Sequence, residues 1–479
     1  MISFILNNQT IQTSIPPGTT VLDFVRYHKH LVGTKIGCRE GDCGACTVLV
    51  GEIKNGQLRY RSMTSCLMPL ANAQGKHIVT IEGLNMEELS PVQQAIVEEG
   101  GTQCGFCTVG FVVSLTGFAM QGSDLLNLKD LVNLAVASID GNICRCTGYK
   151  SLERAAEKIA GLLNFQSLVN LNTDGRLQWL VENKYLPHYF LEIKKRLEAL
   201  SDNSFSKKQK NGNGTFVGGG TDLFVQKPEA MVDASIEAIF DKKELNKIYD
   251  KGGACYIGAA ATATDIKESP FMQSIFPKLK QHIKLVSSTP IRNMGTLGGN
   301  LVNASPIGDL TIFFLALDSS IILNKNGNKR TLKLRHFYKA YKTLDKAPDE
   351  YIETIFFEIP DKKSHFNFEK ICKRTHLDIA SVNTACLLKM DGDIIREAHI
   401  SAGGVGPIPK YLERSSAALK GQKINTGLIK KTAAIIQEEI SPISDARGTE
   451  AYKRLLLRQL FFGHFLEMEN STLKLEKLV

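Results

Sequence analysis

The segment from Cys38 to Cys66 constrains this chain most, because its four cysteines stand at fixed intervals. Four residues separate Cys38 from Cys43, two separate Cys43 from Cys46, and nineteen separate Cys46 from Cys66. This C-x4-C-x2-C…C spacing is that of plant-type [2Fe–2S] sites, in which thiolates hold the cluster. A structural zinc site or a disulfide knot is the alternative, but zinc sites favour two C-x2-C pairs.

Three glycines lie among the first cysteines, at Gly37, Gly41 and Gly44. A small cluster needs a tight loop around it, and glycine lets the backbone turn close to the sulfur atoms. We expect backbone N–H groups to donate hydrogen bonds to sulfur there. The fourth thiolate is expected to come from a neighbouring element, since the chain runs on well past the loop.

A second set of cysteines follows in a region with helical periodicity. Cys104 and Cys107 form a C-x2-C motif, and Cys144 and Cys146 form a C-x-C motif. Both motifs are expected at helix N-termini, where oriented N–H groups favour thiolates. The residue pattern predicts helices that begin at Ser90-Pro91 and cover about 108–120, 127–138 and 151–163. A second [2Fe–2S] cluster is the favoured interpretation, and zinc is the alternative.

Composition excludes several classes of protein. The 479 residues carry a formal charge of +9 without an arginine-rich run that has interleaved aromatics, so nucleic-acid binding is not expected. No apolar run approaches the roughly 18 residues of a membrane span. No export signal is visible at the N-terminus. The chain has eleven cysteines, which suit metal chemistry in a reducing, cytoplasmic compartment better than a disulfide framework.

Glycine-rich loops appear again after residue 215. The segment FVGGGTDL (216–223) reads as a short strand that breaks into a triple-glycine loop able to form an anion-binding nest. A second glycine-rich loop follows at 289–300, with Arg292, Thr296 and then Asp309 as polar candidates. Two such loops favour a large cofactor such as FAD, although a structural turn is the alternative for each. No Rossmann G-x-G-x-x-G follows a strand here.

The changes in residue pattern from one segment to the next predict a multidomain α+β chain. The predicted order is a β-grasp ferredoxin-like domain at 1–84, a four-helix [2Fe–2S] domain at 85–165, a linker at 166–214, an α+β domain with the two glycine-rich loops at 215–362, and a C-terminal α/β domain at 363–479. Within the linker, 185–200 can form a short helix. Cys255, Cys372 and Cys386 are expected to be core residues.

The motifs, taken in order, resemble those of the molybdenum hydroxylases, and the resemblance covers nearly the whole chain. The similar segments are GCREGDCGACTV, QCGFCTVG, GNICRCTGY, FVGGGTDL, IRNMGTLGGN, ASPIGD, DIASVN, SAGGVGPIPK and SDARGTEAYKR. One departure from the family pattern is Lys373-Arg374, where two adjacent arginines are frequent. The stretch before the flavin loop also looks shortened.

The resemblance implies the cofactors and their contacts. It implies two [2Fe–2S] clusters, one on Cys38, Cys43, Cys46 and Cys66, and one on Cys104, Cys107, Cys144 and Cys146. It implies FAD-binding and C-terminal domains of the type found in CO dehydrogenase flavoproteins. The implied FAD contacts are Phe216, Val217, Gly218, Gly219, Gly220, Thr221, Asp222, Leu223, Arg292, Thr296, Gly299, Asn300, Asp309, Ile355 and Lys370. Gln103 is implied to touch a molybdopterin.

The resemblance also implies a division of labour between chains. No molybdopterin domain follows Val479, so we expect a separate, molybdopterin-bearing large subunit to hold the substrate site, and no catalytic residue on this chain. By this resemblance, the present chain would pass electrons from that partner to FAD and then to NAD+. The partner's substrate could be a purine, an aldehyde or another N-heterocycle. A non-enzymatic iron–sulfur sensor or binding module is the alternative from a different class.

Overall fold

The computed structural model describes most of the chain in two compact units. The described residues are 1–121, 127–163, 168, 171–200, 214–374, 377–468 and 473–478. The first unit comprises Met1–Ala238 together with Ser288–Met294, and the second comprises Ile239–Ser287 and Gly295–Val479. Within the described ranges, no helix combines the length and apolarity needed to cross a membrane.

The first unit begins with a five-stranded sheet. Its strands are Ile2–Leu6, Gln9–Thr13, Thr47–Lys54, Gln57–Thr64 and His77–Val79. The first and last of these strands pair in parallel, and the other pairs are antiparallel. Thr20 caps a helical turn at Val21–Asp23, which continues as a π-helix at Phe24–His28. This is the β-grasp arrangement that the sequence predicts, although the strand Gln57–Thr64 was not among the predicted elements.

Four helices follow at the predicted positions. They are Pro91–Glu98, Thr108–Met120, Leu128–Ser138 and Lys150–Leu162. Ser90 forms a capping box with Gln93, which satisfies backbone donors at the start of the first helix. The helix Thr108–Met120 is buried along nearly its whole length. Its apolar side chains therefore form the centre of the core around which the other three helices pack.

Residues 173–200, which the sequence interpretation assigns to a linker with a short helix at 185–200, are mostly helical in the structure. This stretch forms the helices Thr173–Glu182 and Ile193–Leu200 with a 3-10 helix at His188–Glu192 between them. Leu180, Phe190 and Leu197 are buried in the core of the first unit. Burial of these side chains stabilises the stretch as part of a folded domain. The remaining polar part of the predicted linker, at 201–213, lies outside the described residues.

Smaller elements complete the first unit. The strands Thr215–Val217 and Ile236–Ala238 pair in parallel, and the short helices Leu223–Gln226 and Pro228–Val232 lie between them in sequence. The first of these strands leads directly into the triple-glycine loop, as the sequence predicts. The inserted segment Ser288–Met294 contributes the helical turn Thr289–Arg292.

The second unit contains two antiparallel sheets. The first has Ile248–Lys251, Ala254–Gly258, Ser320–Lys325, Asn328–Lys333 and Tyr351–Glu358, with helices at Ala263–Glu268, Pro270–Ile275, Leu279–Lys284, Leu297–Asn303 and Asp309–Leu315. The second has Ser364–Ile371, Val382–Asp391, Ile394–Gly403 and Lys410–Tyr411, with helices at Glu413–Leu419, Thr426–Glu439, Glu450–Leu466 and Leu475–Leu478. A small hairpin pairs Tyr338–Ala340 with Thr343–Leu344. Cys255 and Cys386 are core residues as predicted, but Cys372 is partly exposed.

A histidine is fully buried in the core of the second unit. The His464 ring lies between Asn367, whose amide nitrogen is 3.2 Å from Nδ1, and Thr384, whose hydroxyl is 3.3 Å from Nε2. Burial lowers the pKa of His464 from 6.5 to about 3, because the charged ring would lose its hydration. The ring is therefore neutral in the folded protein under ordinary conditions.

We expect the second unit to lose stability as the pH falls from about 6.5 towards 3. The unfolded chain binds a proton on this histidine near pH 6.5, while the folded protein does not, so protonation favours unfolding by up to about 1.4 kcal/mol per pH unit. Urea unfolding of His464→Gln measured from pH 7 to pH 4 should show a smaller pH dependence than the parent. His336→Gln, at an exposed position of the same unit, is the control. Equal slopes in all three proteins would contradict the assignment.

Candidate functional site

The structure brings the first four cysteines together as two pairs. The backbone N–H of Cys38 lies 3.4 Å from the Cys43 sulfur, and the N–H of Cys43 lies 3.4 Å from the Cys38 sulfur. Cys46 and Cys66 form the second pair, since the neighbouring Cys66 side chain is the largest influence on the Cys46 thiol and lowers its pKa. Two thiolates for each of two irons is the ligand set that a [2Fe–2S] cluster needs, so this donor set fits that group.

A hairpin explains how Cys66 returns to the loop. The strands Thr47–Lys54 and Gln57–Thr64 pair in antiparallel register with Thr47 opposite Thr64. Cys46 and Cys66 lie just beyond this last pair of residues and are therefore neighbours, although nineteen residues separate them in sequence. Ser65 fixes the open end of the hairpin, because its N–H and its hydroxyl both donate to the Cys46 carbonyl, at 3.3 and 2.7 Å.

Glycines shape the loop as the sequence predicts. Gly41 and Gly44 have φ of +80° and +67°, a left-handed region that other residues rarely adopt. A Cβ atom on Gly37 would lie 2.5 Å from the Cys43 sulfur, which is too close for any stable contact. The N–H of Glu40 also donates to the Cys38 sulfur at 3.3 Å. The loop therefore directs backbone donors at sulfur, as expected for a cluster site.

The charge state of the first pair is set by the contact between the two thiols. A hydrogen bond from the Cys43 side chain lowers the pKa of Cys38 from 9.0 to about 5, and backbone donors add to the effect. The same contact raises the pKa of Cys43. Since the thiolate is the form that binds metal, the loop stabilises at least one ligand in its reactive form.

The second four cysteines also form two pairs, and each pair joins the two motifs. The sulfurs of Cys104 and Cys146 lie 3.7 Å apart. Cys107 and Cys144 form the other pair, since burial and then the neighbouring Cys144 side chain raise the pKa of Cys107. Burial raises the pKa of Cys144, but donors from the Thr147 hydroxyl and backbone outweigh it and lower the pKa. In the described part of the chain, no group of three or more His, Cys, Asp or Glu side chains is arranged to hold a single metal ion.

The second set of cysteines is the more exposed one. Cys104 and Cys146 are exposed, whereas Cys46 and Cys66 of the first set are buried. Gln103 is exposed beside Cys104, and Phe106 leaves 45% of its surface open to solvent. An exposed phenylalanine next to exposed thiols indicates a surface that a partner can cover.

The two cysteine loops contact each other through their backbones. The backbone N–H of Ile143 donates to the backbone carbonyl of Cys43 at 3.0 Å. The side-chain amide of Asn142 donates to the backbone carbonyl of Gly44 at 3.2 Å. A Cβ atom on Gly44 would lie 2.3 Å from the Gly141 carbonyl oxygen, so only glycine permits this approach. We call the contact between residues 43–44 and 141–143 the loop junction.

The triple-glycine loop is packed against the ferredoxin-like domain. A Cβ atom on Gly219 would lie 1.9 Å from the Met294 carbonyl oxygen, and one on Gly220 would lie 2.5 Å from the Leu67 carbonyl oxygen. The Asn72 amide donates to the Gly218 carbonyl at 2.8 Å. Close packing therefore requires glycine at 219 and 220. A structural turn, the alternative to phosphate binding, is enough to explain these two glycines.

Arg292, an implied FAD contact, lies in a buried ion pair. Its guanidinium forms a buried ion pair with Asp140 at 2.6 Å, and both side chains are almost completely inaccessible. Asp140 also accepts from the Thr289 N–H at 2.7 Å. A buried arginine that is neutralised by a carboxylate is a poor ligand for a flavin phosphate, so this contact lends no support to Arg292 as an FAD ligand, and that role stays a prediction. The pair instead anchors the residue that precedes the loop junction.

Two implied flavin residues of the second unit, Asp309 and Lys370, lie together. Lys370 donates to Asp309 at 2.7 Å and to the Leu285 carbonyl at 2.8 Å, so these two residues form one buried polar group. Asn383, which the sequence interpretation missed, donates to Asp309 at 2.6 Å. Its side-chain oxygen is buried without a partner. A buried acceptor beside a carboxylate fits the hydroxyl-rich part of a nucleotide cofactor.

The remaining candidates have mainly structural contacts. The Ile355 side chain is fully buried in the core of the second unit, so a flavin contact through it is not supported. Thr296 caps the helix Leu297–Asn303 by accepting from the Gly299 N–H. Asn300 accepts from Thr311 at the next helix. Residues 216–223 belong to the first unit, and the other flavin candidates, apart from Arg292, belong to the second.

Comparison with known proteins gives an ordered set of four family models. The 2Fe-2S iron-sulfur cluster binding domain matches residues 4–71, and the [2Fe-2S] binding domain matches 80–157. The FAD binding domain in molybdopterin dehydrogenase matches 199–361, and the CO dehydrogenase flavoprotein C-terminal domain matches 368–468. The chain is an iron–sulfur flavoprotein of the molybdenum hydroxylase family. The match at 80–157 favours iron and sulfur over zinc in the helical domain of this flavoprotein.

Full-length relatives of the flavoprotein are much longer than this chain. Xanthine dehydrogenase of Emericella nidulans is 27% identical over 97% of this chain and 38% of its own length. Aldehyde oxidase 1 of Bos taurus is 25% identical over 98% of this chain and 39% of its own length. The chain thus spans about two fifths of the curated relatives it matches. A solved carbon monoxide dehydrogenase from Hydrogenophaga pseudoflava is 23% identical, with a TM-score of 0.49 over 52% of this chain and 87% of that chain.

We expect the flavoprotein to contain about four irons and about four acid-labile sulfides, and Gly37→Ala to lose about half of each. The added methyl would occupy the position of the Cys43 sulfur, so the first cluster should fail to assemble while the helical-domain cluster remains. Iron and sulfide analysis checks the result. Gly161→Ala is the control, because a Cβ atom there meets nothing within 4 Å. Full iron content in Gly37→Ala would contradict the proposed ligand loop.

Proposed function

We propose that this chain is the electron-transfer subunit of a xanthine dehydrogenase. In this proposal a molybdopterin-bearing partner oxidises hypoxanthine and xanthine to urate, and this chain delivers the electrons to NAD+. The order of the four domains and the similarity to full-length xanthine dehydrogenases support the proposal. The cysteine content supports a cytoplasmic location for the assembly.

One observation carries the proposal. The two sets of paired cysteines lie in one compact unit and meet at the loop junction, where Ile143 donates to the Cys43 carbonyl. Two thiols of the helical set, Cys104 and Cys146, are exposed, whereas the ferredoxin-like set has two buried and two partly exposed thiols. Iron–sulfur clusters carry single electrons, and FAD can exchange one electron or two, so together they connect one-electron and two-electron chemistry.

Each cysteine set has a distinct part in this proposal. Cys104 and Cys146, with Gln103 and Phe106 beside them, form the surface that meets the partner and its molybdopterin. Cys46 and Cys66 hold the other cluster inside the protein, where water has little access. The residues of the second unit that are implied to contact FAD, apart from the side chain of Ile355, remain part of the proposal. Their polar centre is the Asp309–Lys370–Asn383 group. The FAD contacts implied at 216–223 stay a prediction.

A second candidate is the equivalent part of an aldehyde oxidase or of another heterocycle hydroxylase. Aldehyde oxidase 1 of Bos taurus matches as much of the chain as the xanthine dehydrogenases do, at similar identity. The two candidates differ in the substrate of the partner and in the electron acceptor. Purifying the partner bound to this chain and comparing xanthine with an aldehyde as substrate separates them.

We expect acid precipitation of the purified protein to release about one FAD per chain, which a non-enzymatic iron–sulfur module would not contain. Asp309→Asn should lower the flavin content and keep the iron, since the carboxylate holds both Lys370 and Asn383 in place. Asp318→Asn is the matched control, because Asp318 also pairs with a lysine, Lys333, at 2.7 Å. Absence of flavin from the parent protein would reject the enzymatic proposal.

We expect Cys107→Ser in the assembled enzyme to abolish reduction of NAD+ by xanthine. Serine is a poorer ligand for this iron than thiolate, so the helical-domain cluster should be lost. Reduction of an artificial dye by NADH should survive, because it does not require that cluster.

Flavin and iron must be measured in parallel, since misfolding would remove both activities. Cys255→Ser, at a buried cysteine outside both sets, is the control for the substitution itself. Survival of the xanthine-driven activity, or loss of both activities with flavin retained, would show that the proposed order of carriers is wrong.

A further inference from the structure

The loop junction has one side chain that contacts both cysteine-bearing regions. Asn142 is 5% exposed and lies two residues before Cys144. Its amide nitrogen donates to the Gly44 carbonyl at 3.2 Å, and its side-chain oxygen accepts from the Ser114 hydroxyl at 2.8 Å. Ser114 belongs to the central helix Thr108–Met120. The side-chain nitrogen therefore bonds the ferredoxin-like loop, and the side-chain oxygen bonds the helical domain.

The hydrogen bond next to Asn142 is a short connection between the two sets of ligands. The N–H of Ile143 donates to the Cys43 carbonyl at 3.0 Å. The backbone of the ligand Cys43 therefore contacts the residue that directly precedes the ligand Cys144. The bonded path from the Cys43 sulfur to the Cys144 sulfur consists of the covalent bonds of Cys43, Ile143 and Cys144 and this single hydrogen bond. Electron transfer through bonded atoms and hydrogen bonds is more efficient than transfer across a gap, so the length of this hydrogen bond matters.

The segment before Asn142 is held independently. Asp140 forms the buried ion pair with Arg292 and accepts from the Thr289 N–H. A Cβ atom on Gly141 would lie 2.7 Å from Pro290, so this side of the loop is also tightly packed. Loss of the Asn142 amide would therefore leave the segment before the loop junction attached. It would free the contacts of this side chain with Gly44 and Ser114, so the change falls on residues 142–143 and their approach to residues 43–44.

We propose that Asn142 is a positioning residue that holds the Cys43–Ile143 hydrogen bond and so sets the electronic coupling between the two clusters. The proposal rests on the proposed function, because it needs both clusters to be present. In each transfer the helical-domain cluster is oxidised by one electron and the ferredoxin-like cluster is reduced by one. The molybdopterin partner supplies the electron in the enzyme, and no proton has to move.

The test uses the purified chain with both clusters, reduced with dithionite. Electron paramagnetic resonance at low temperature should show magnetic splitting between the two reduced clusters in the parent protein. Asn142→Leu keeps the size of the side chain and removes its donor. We expect it to retain full iron and the individual cluster signals, to lose the splitting, and to slow electron transfer between the clusters after flash photoreduction.

Control variants separate positioning from ordinary stabilisation. Asn293→Leu removes a comparable buried amide, which donates to the Ser62 carbonyl at 2.8 Å, and should keep the splitting despite a similar loss of stability. Asn142→Gln retains a donor and should restore part of the splitting. If Asn142→Leu loses a cluster, Asn142→Asp, which keeps the acceptor for Ser114 and lacks the donor, takes its place in the comparison.

The outcomes distinguish this inference from the proposed function. Two cluster signals in the parent, with the same splitting and transfer rate in the Asn142 variants, would overturn the inference alone. A parent protein without two [2Fe–2S] signals would overturn the ligand assignment and this inference with it. Loss of splitting in Asn142→Leu but not in Asn293→Leu would support the inference.

Discussion

The close approach of two cysteine loops is the constraint on which the first unit depends. Gly44 lies so near Gly141 and Asn142 that a Cβ atom would overlap them, and a Cβ on Gly110 would lie 2.2 Å from the Gly44 carbonyl oxygen. The absence of two side chains thus allows one backbone to hydrogen-bond the other. The β-grasp sheet and the helix Thr108–Met120 hold the loops at this distance, because both belong to one continuous core.

A buried ion pair stabilises the same region from the other side. Removing one partner of such a pair leaves an uncompensated charge in the interior, which typically destabilises a protein by about 3–5 kcal/mol. Arg292 and Asp140 are 152 positions apart, and their pairing keeps the inserted segment Ser288–Met294 in the first unit. The glycine-rich segment that resembles a flavin loop therefore begins with residues that support the cluster domains.

Exposure gives the two cysteine sets different chemical environments. Hydrogen bonds to sulfur and solvent access both tune the reduction potential of an iron–sulfur cluster. Cys46 and Cys66 are buried behind a hairpin, while Cys104 and Cys146 lie at the surface beside Phe106. The direction of electron flow that we propose agrees with this difference, because the set with the exposed thiols is the one that a partner can contact more readily.

The sequence by itself determined the local elements. Ser90 and Asn127 cap helices that begin at the next residue, since a cap acts on backbone donors within one turn. Both cysteine sets were also predicted, because their spacing is local. The strand Gln57–Thr64 pairs with Thr47–Lys54 in a local hairpin, and the sequence interpretation missed it. The helix Thr173–Glu182, the pairing of cysteines from separate motifs and the contacts of Arg292 depended on the tertiary structure. Their partners lie far away in sequence, and only burial in a shared core decides which distant groups meet.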